Sequence, residues 1–195
     1  MRLRPSEPTF LTYILVFRGF MMKVLIAYTS NTGNTEKVAK AISRGVEAAH
    51  DVEIKRIEDT KAEDVKAFDL VFLGSPIHAG GLSTAAAEFL NGMPDSPGFR
   101  LAGFVTHASD AYESAEGYER GINTFSDVTK AKGIEYLGCF DCRGRLDPSI
   151  RPMVQQAKKV SDEEWAEDMR VLDQHPNEED ERSAADFAKK VVSKI

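Results

Sequence analysis

Met22-Lys-Val-Leu-Ile-Ala-Tyr-Thr-Ser-Asn-Thr-Gly-Asn-Thr-Glu-Lys-Val-Ala39 is the stretch on which the fold turns. A short apolar strand, Val24 to Tyr28, runs into a loop of hydroxyl and amide side chains around one glycine. An amphipathic helix follows, with Val38, Ala41, Ile42, Val46 and Ala49 at helical spacing. A parallel α/β sheet uses this arrangement to present backbone N–H groups and a helix N-terminus to a phosphate. From Thr29 to Thr35 the loop is rich in neutral donors: Ser30, Thr32 and Thr35 offer hydroxyls, and Asn31 and Asn34 offer amides. Gly33 lets the backbone approach closely. A hydrogen bond to a charged group contributes about 1.5–3 kcal/mol, so a handful can hold a phosphate monoester without a salt bridge. Lys37, in the first helical turn, is expected to add a positive field. No Gly-x-x-x-x-Gly-Lys-[Ser/Thr] serves a nucleoside triphosphate, and no Gly-x-Gly-x-x-Gly serves a dinucleotide. The plainer alternative is a polar β–α turn with a Thr or Asn helix cap.

The chain has 195 residues, enough for one domain with a full core and a short appendage. With 29% charged and 42% hydrophobic residues the composition is that of a soluble globular protein. A formal net charge of −6 and the lack of a basic stretch argue against nucleic-acid partners. Two cysteines, Cys139 and Cys142, give no disulfide framework and point to a reducing, cytoplasmic setting. They form a Cys-x-x-Cys, but in a strand positions i and i+3 face opposite sides of the sheet, which disfavours a dithiol. Thr9 to Phe17 is mostly apolar, yet Arg18 interrupts it short of the roughly 20 residues a membrane span needs. Residues 1–21 are expected to be an extension upstream of the domain, compatible with a misassigned start, and a membrane-surface helix is the lesser alternative.

After Met22 the periodicity alternates strand and helix, which predicts a doubly wound parallel sheet. Strands are expected at Lys23–Tyr28, Val52–Ile57, Leu70–Gly74, Leu101–His107 and Glu135–Phe140. Helices are expected at Asn34–Ala49, Thr84–Leu90, Glu116–Lys132 and Glu179–Lys194, with a turn or short helix at Asp64–Phe68. Between the fifth strand and the last helix lies an excursion at about 143–177, carrying short polar helices at Pro152–Val160 and Asp162–Leu172. Its Trp165, Met169 and Leu172 are expected to pack on the body. The alternative is a flap that docks a partner or covers a substrate.

Ser30-Asn31-Thr32-Gly33-Asn34-Thr35 matches the [Ser/Thr]-x-Thr-Gly-x-Thr phosphate-loop pattern of the flavodoxins, and the chain resembles that family from Met22 to its end. The resemblance implies an α/β fold: a flavodoxin-like doubly wound five-stranded parallel sheet, order 2-1-3-4-5, with helices on both faces. It implies FMN as cofactor, held by phosphate at residues 29–35. The ring would lie between the loop after strand three (Pro76, Ile77, His78, Ala79, Gly80) and the loop after strand four (His107, Ala108, Ser109, Asp110). Gly80-Gly81 gives a backbone able to adjust when the flavin N5 gains a proton. His78 and His107 are candidate donors to flavin or substrate, and Tyr112 a candidate stacking ring. Many flavodoxins flank the ring with Trp and Tyr and carry a Gly-x-Gly-Asp run after strand four. Here the first loop has neither aromatic and the second keeps only the aspartate. Cys142-Arg-Gly-Arg-Leu-Asp147 and His175-Pro-Asn-Glu-Glu-Asp180 are similar to a less studied branch of the family. The implied function is an FMN-binding electron-transfer protein working with a redox partner protein or a small acceptor, with no residue assigned acid–base catalysis. The alternatives are an FMN-dependent oxidoreductase acting on quinones or another small acceptor, and a non-flavin binding module on the same fold.

Overall fold

The computed structural model describes residues 21–95, 98–109 and 116–195, with the side chains of residues 116 and 117 left aside. The expected extension at 1–21 therefore lies, but for Met21, outside the described residues. Along the chain run strands β1 (Lys23–Tyr28), β2 (Asp51–Arg56), β3 (Leu70–His78), β4 (Gly81–Leu82), β5 (Arg100–His107) and β6 (Glu135–Arg143). The helices are α1 (Asn34–Val46), α2 (Thr84–Gly92), α3 (Glu116–Lys132), α4 (Arg151–Lys158), α5 (Asp162–Leu172) and α6 (Glu178–Val192), with 3-10 turns at Ile57–Asp59 and Ala62–Ala67. Among these helices none is long and apolar enough to cross a membrane.

An unbroken apolar run suits a strand covered on both faces, and Val24 to Tyr28 are all buried. They sit near the centre of the sheet, whose order is β2-β1-β3-β5-β6, all parallel. Val24 lies beside both Val52 and Leu70, and Leu70 beside Arg100. This is the expected topology, with β5 and β6 as the fourth and fifth parallel strands. Side chains alternate between two cores. Val24, Ile26 and Phe72 pack with Val38, Ile42, Ala184 and Ala188 under α1 and α6. Leu25, Val71 and Leu73 pack with Leu90 and Phe125 under α2 and α3. Cys139 joins the second core and Cys142 the first, so the two thiols do face opposite sides of the sheet.

Two strands run further than the sequence suggests. β3 was expected to end at Gly74, but continues to His78 and turns back into β4, with Ile77 opposite Leu82 and His78 opposite Gly81. Pro76 still lies beside Thr106 of β5, but it is tolerated because β1 has ended at Tyr28, opposite Gly74, leaving no β1 residue that needs its missing N–H. Its carbonyl accepts from the Ser83 N–H at 3.2 Å. β6 runs three residues past Phe140 after a bulge between the Leu101–Tyr136 and Gly103–Cys139 pairs, where Gly138 takes φ 111°. The excursion begins at the end of that longer strand. Trp165, Met169 and Leu172 build a small core of their own, packed with Leu146, Val154, Val160 and Ala108. Through Ala108 that core meets the carboxyl edge of the sheet.

Candidate functional site

At that edge the chain leaves β1 through residues 29–35. Gly33 takes φ 85°, a left-handed conformation, and opens α1 without any side-chain cap. The first N–H groups of α1 therefore keep no side-chain partner, which suits an anion. Ser30 Oγ accepts from the Gly33 N–H at 3.1 Å and closes the loop on itself. Thr35, nearly fully buried, shares a 2.9 Å hydrogen bond with the Thr106 hydroxyl at the end of β5. A hydroxyl can donate and accept at once, so this pairing leaves capacity for a ligand.

Ser30, Asn31, Thr32, Asn34 and Thr35 line one side of a cleft of about 440 Å3, and Pro76 to Ala79 with Thr106 to Ala108 line the next. That volume falls in the range of ordinary cofactor sites. Ala79 and Gly80 form the two-residue turn between β3 and β4 with φ 48° and 79°. The Arg120 guanidinium donates to the Ala79 carbonyl and holds that turn from α3. His78 is exposed at the cleft. His107 is buried and fully engaged: Nδ1 accepts from the Ser109 N–H at 3.3 Å, and Nε2 lies 3.4 Å from Asp141 Oδ2. Its ring stacks on Tyr118 at 4.1 Å between centroids. With both nitrogens partnered, His107 shapes the wall rather than offering a free donor.

Other expected residues stand away from the cleft or bear on it indirectly. The Thr29 hydroxyl donates to Glu58 Oε1 at 3.0 Å, and Thr29 does not line the cleft. Lys37 does not lend its field to the loop, because Nζ donates to the Pro176 carbonyl at 2.6 Å and pairs with Glu181 at 3.1 Å. Gly33, Gly80 and Ser109 support the walls without lining them. Asp110 and Tyr112 lie outside the described residues.

The third wall was missed by sequence reasoning. Gly144, Arg145, Leu146 and Asp147, with Ile150 and Val154 of the excursion, complete the lining. The Asn34 amide donates to the Arg145 carbonyl at 2.7 Å, and an Arg145 guanidinium nitrogen donates to the Thr32 carbonyl at 3.0 Å. The Ser149 N–H and hydroxyl hold the Asp147 carboxyl below the usual carboxylate range. A glycine flanked by two arginines was the available signal, but nothing local says which surface it meets.

A family profile described as a flavodoxin domain matches residues 25–189. An uncharacterised protein of Methanocaldococcus jannaschii is 28% identical over 176 residues, covering 88% of this chain and 99% of that one. The flavodoxin-like domain-containing protein BilS of Clostridioides difficile is 25% identical over 184 residues, covering 89% of this chain and 98% of its own. Oxidised flavodoxin 1 of Bacillus cereus superposes with a TM-score of 0.63 at 18% identity over 89% of this chain and 99% of that structure, a likeness of fold. With the profile spanning most of its length, the chain belongs to the flavodoxin family.

Proposed function

We propose that the protein binds FMN in this cleft and transfers electrons between redox partners. The observation that carries the proposal is the uncapped start of α1 behind a loop of hydroxyls and amides, opening directly on the cleft. The donor set fits a phosphate monoester: Ser30, Asn31, Thr32 and Thr35 with the first N–H groups of α1 would hold it. The ring would lie along Pro76 to Ala79 and His107 to Ser109, with Gly80 in the turn beside it, and an Asp110 contact remains part of the proposal. FMN supplies the redox chemistry when bound, and the protein supplies binding, orientation and a docking face. Arg120 fixes the turn that would border the ring, and Ile77 and Leu146 keep water from that part of the cleft.

A visible spectrum of the purified protein, followed by titration with FMN, tests the reading. Flavin absorbance at about one FMN per chain is expected. A colourless protein that takes up no FMN at high concentration would refute it.

One observation favours a second reading, an FMN-dependent oxidoreductase. Among the described residues no Trp or Tyr lines the cleft, and Ile77, Leu146, Ile150 and Val154 leave an aliphatic surface where a small acceptor could lie. Steady consumption of NAD(P)H with a quinone would favour this reading. One-electron exchange without it would favour the carrier.

A further inference from the structure

We propose that Arg145 is the cation of the phosphate site, brought to it by the chain that follows β6. This rests on the flavin reading above and adds an ionic partner to a loop whose own donors are all neutral.

Three observations place Arg145 in that role. The first is its anchoring. The Gly144 N–H donates to the His107 carbonyl at 2.8 Å, and the Arg145 N–H donates to the His175 carbonyl at 3.2 Å. The Asn34 amide holds the Arg145 carbonyl at 2.7 Å. Gly144 passes so near Asn34 that an added Cβ would stand 2.8 Å from Nδ2 and 3.0 Å from Cγ. A side chain at this position would displace the Asn34 amide from where it stands. The backbone of Arg145 is thus fixed against the loop while its side chain remains exposed.

The second observation is the state of the guanidinium. It donates to the Thr32 carbonyl at 3.0 Å, so it already lies on the loop. No carboxylate pairs with it among the described residues, and most of its five N–H donors remain for a ligand. Lys37 is paired with Glu181; Arg56 also reaches the loop, at the Ser30 carbonyl, but it is paired with Glu58 and does not line the cleft. Among the described residues that line the cleft, Arg145 is the one Lys or Arg.

The third is charge. A molecule of formal net charge −6 repels a dianion at long range, and a fixed guanidinium at the loop offsets this where the ligand sits. The planar fork of Arg matches two phosphate oxygens at once. Asn34, whose amide is committed to the Arg145 carbonyl, is in this scheme a positioning residue for Arg145.

The test compares FMN with riboflavin, which lacks the phosphate, in the wild-type protein, Arg145→Gln, Arg145→Lys and Asn34→Ala. Arg145→Gln removes the charge and, being two bonds shorter than the Nη that donates to the Thr32 carbonyl, also releases that strut, whereas Arg145→Lys keeps the charge. Arg145→Gln should weaken FMN about 10- to 100-fold, the range of one charge-assisted hydrogen bond, and leave riboflavin within about 2-fold. Salt screens both the attraction to Arg145 and the repulsion by the net charge, so the readout is the difference: added salt should lower FMN affinity of the wild type relative to that of Arg145→Gln. Arg145→Lys should restore part of the affinity and the salt dependence. Asn34→Ala should weaken FMN in the wild type but add little to Arg145→Gln. Equal losses for both flavins, or an unchanged FMN affinity in Arg145→Gln, would overturn the role of Arg145 and leave the flavin site standing. A wild-type protein that binds neither flavin overturns the flavin reading, and this inference with it.

Discussion

Gly45, inside α1, shows that a substitution favoured by local propensity can be prohibited by a neighbour. Alanine in a helix interior gains about 1 kcal/mol over glycine. At Gly45, however, a Cβ would stand 2.5 Å from the Ala185 carbonyl oxygen, where α6 crosses. Backbone does not move aside cheaply, and overpacking costs about 1–3 kcal/mol. Gly45→Ala should therefore destabilise the protein by about 1–2 kcal/mol in urea unfolding; a gain in stability would show that α6 can yield. A second contrast lies within the loop. Thr35→Val would strip the buried Thr106 hydroxyl of its partner, so it should cost about 1–2 kcal/mol of stability as well as FMN affinity. Thr32→Ala should reduce FMN affinity alone, leaving the melting temperature and riboflavin binding close to wild type. Parallel thermal melts and flavin titrations separate the two.

Elements were legible in the sequence where their signals are local. The start of α6 is one such case. Asn177 Oδ1 accepts from the Glu179 and Asp180 N–H groups at 2.8 and 3.0 Å, and Asp180 accepts from the Asn177 N–H at 2.8 Å. Acidic residues crowd its first turn and lysines its last, as the helix dipole favours. Asn177→Ala should lower stability by about 1 kcal/mol, read by the urea midpoint. β1, the loop at residues 29–35 and α1 were legible for a similar reason, since apolar run, glycine and helical period follow one another within the quoted stretch. The extension of β3 was hidden by Pro76, which marks a strand end unless the neighbouring strand is known to have stopped. The third wall of the cleft was hidden by distance: Asn34 and Arg145 are 111 residues apart, and no periodicity connects them. Lys37 failed for the same reason, because its partners Pro176 and Glu181 come from the far end of the chain.

At the scale of the whole molecule, the two cores bury groups that set its response to alkali. Burial, with Asp141 adding a like charge, pushes the Cys139 thiol up. Burial, with Asp180 and Asp141, does the same to Cys142, and burial next to Cys139 raises the Tyr136 phenol. These groups stay protonated in the fold, while in the unfolded chain the thiols are half ionised near pH 9.0. The native state binds more protons above that point, so this part of the stability is complete below it and is lost as pH rises further. Urea midpoints should fall between about pH 8 and about pH 10.5, and Cys139→Ala with Cys142→Ala should flatten the decline. An equally steep decline in the double variant would place the cause elsewhere. The contact between Asn34 and Arg145 also has a consequence in time. A polypeptide emerging from the ribosome only as far as β5 carries the loop at residues 29–35 but lacks a side of the pocket. On the proposed FMN reading, loading would therefore belong after synthesis, and nascent chains stalled before Gly144 should leave flavin in solution while released chains retain it.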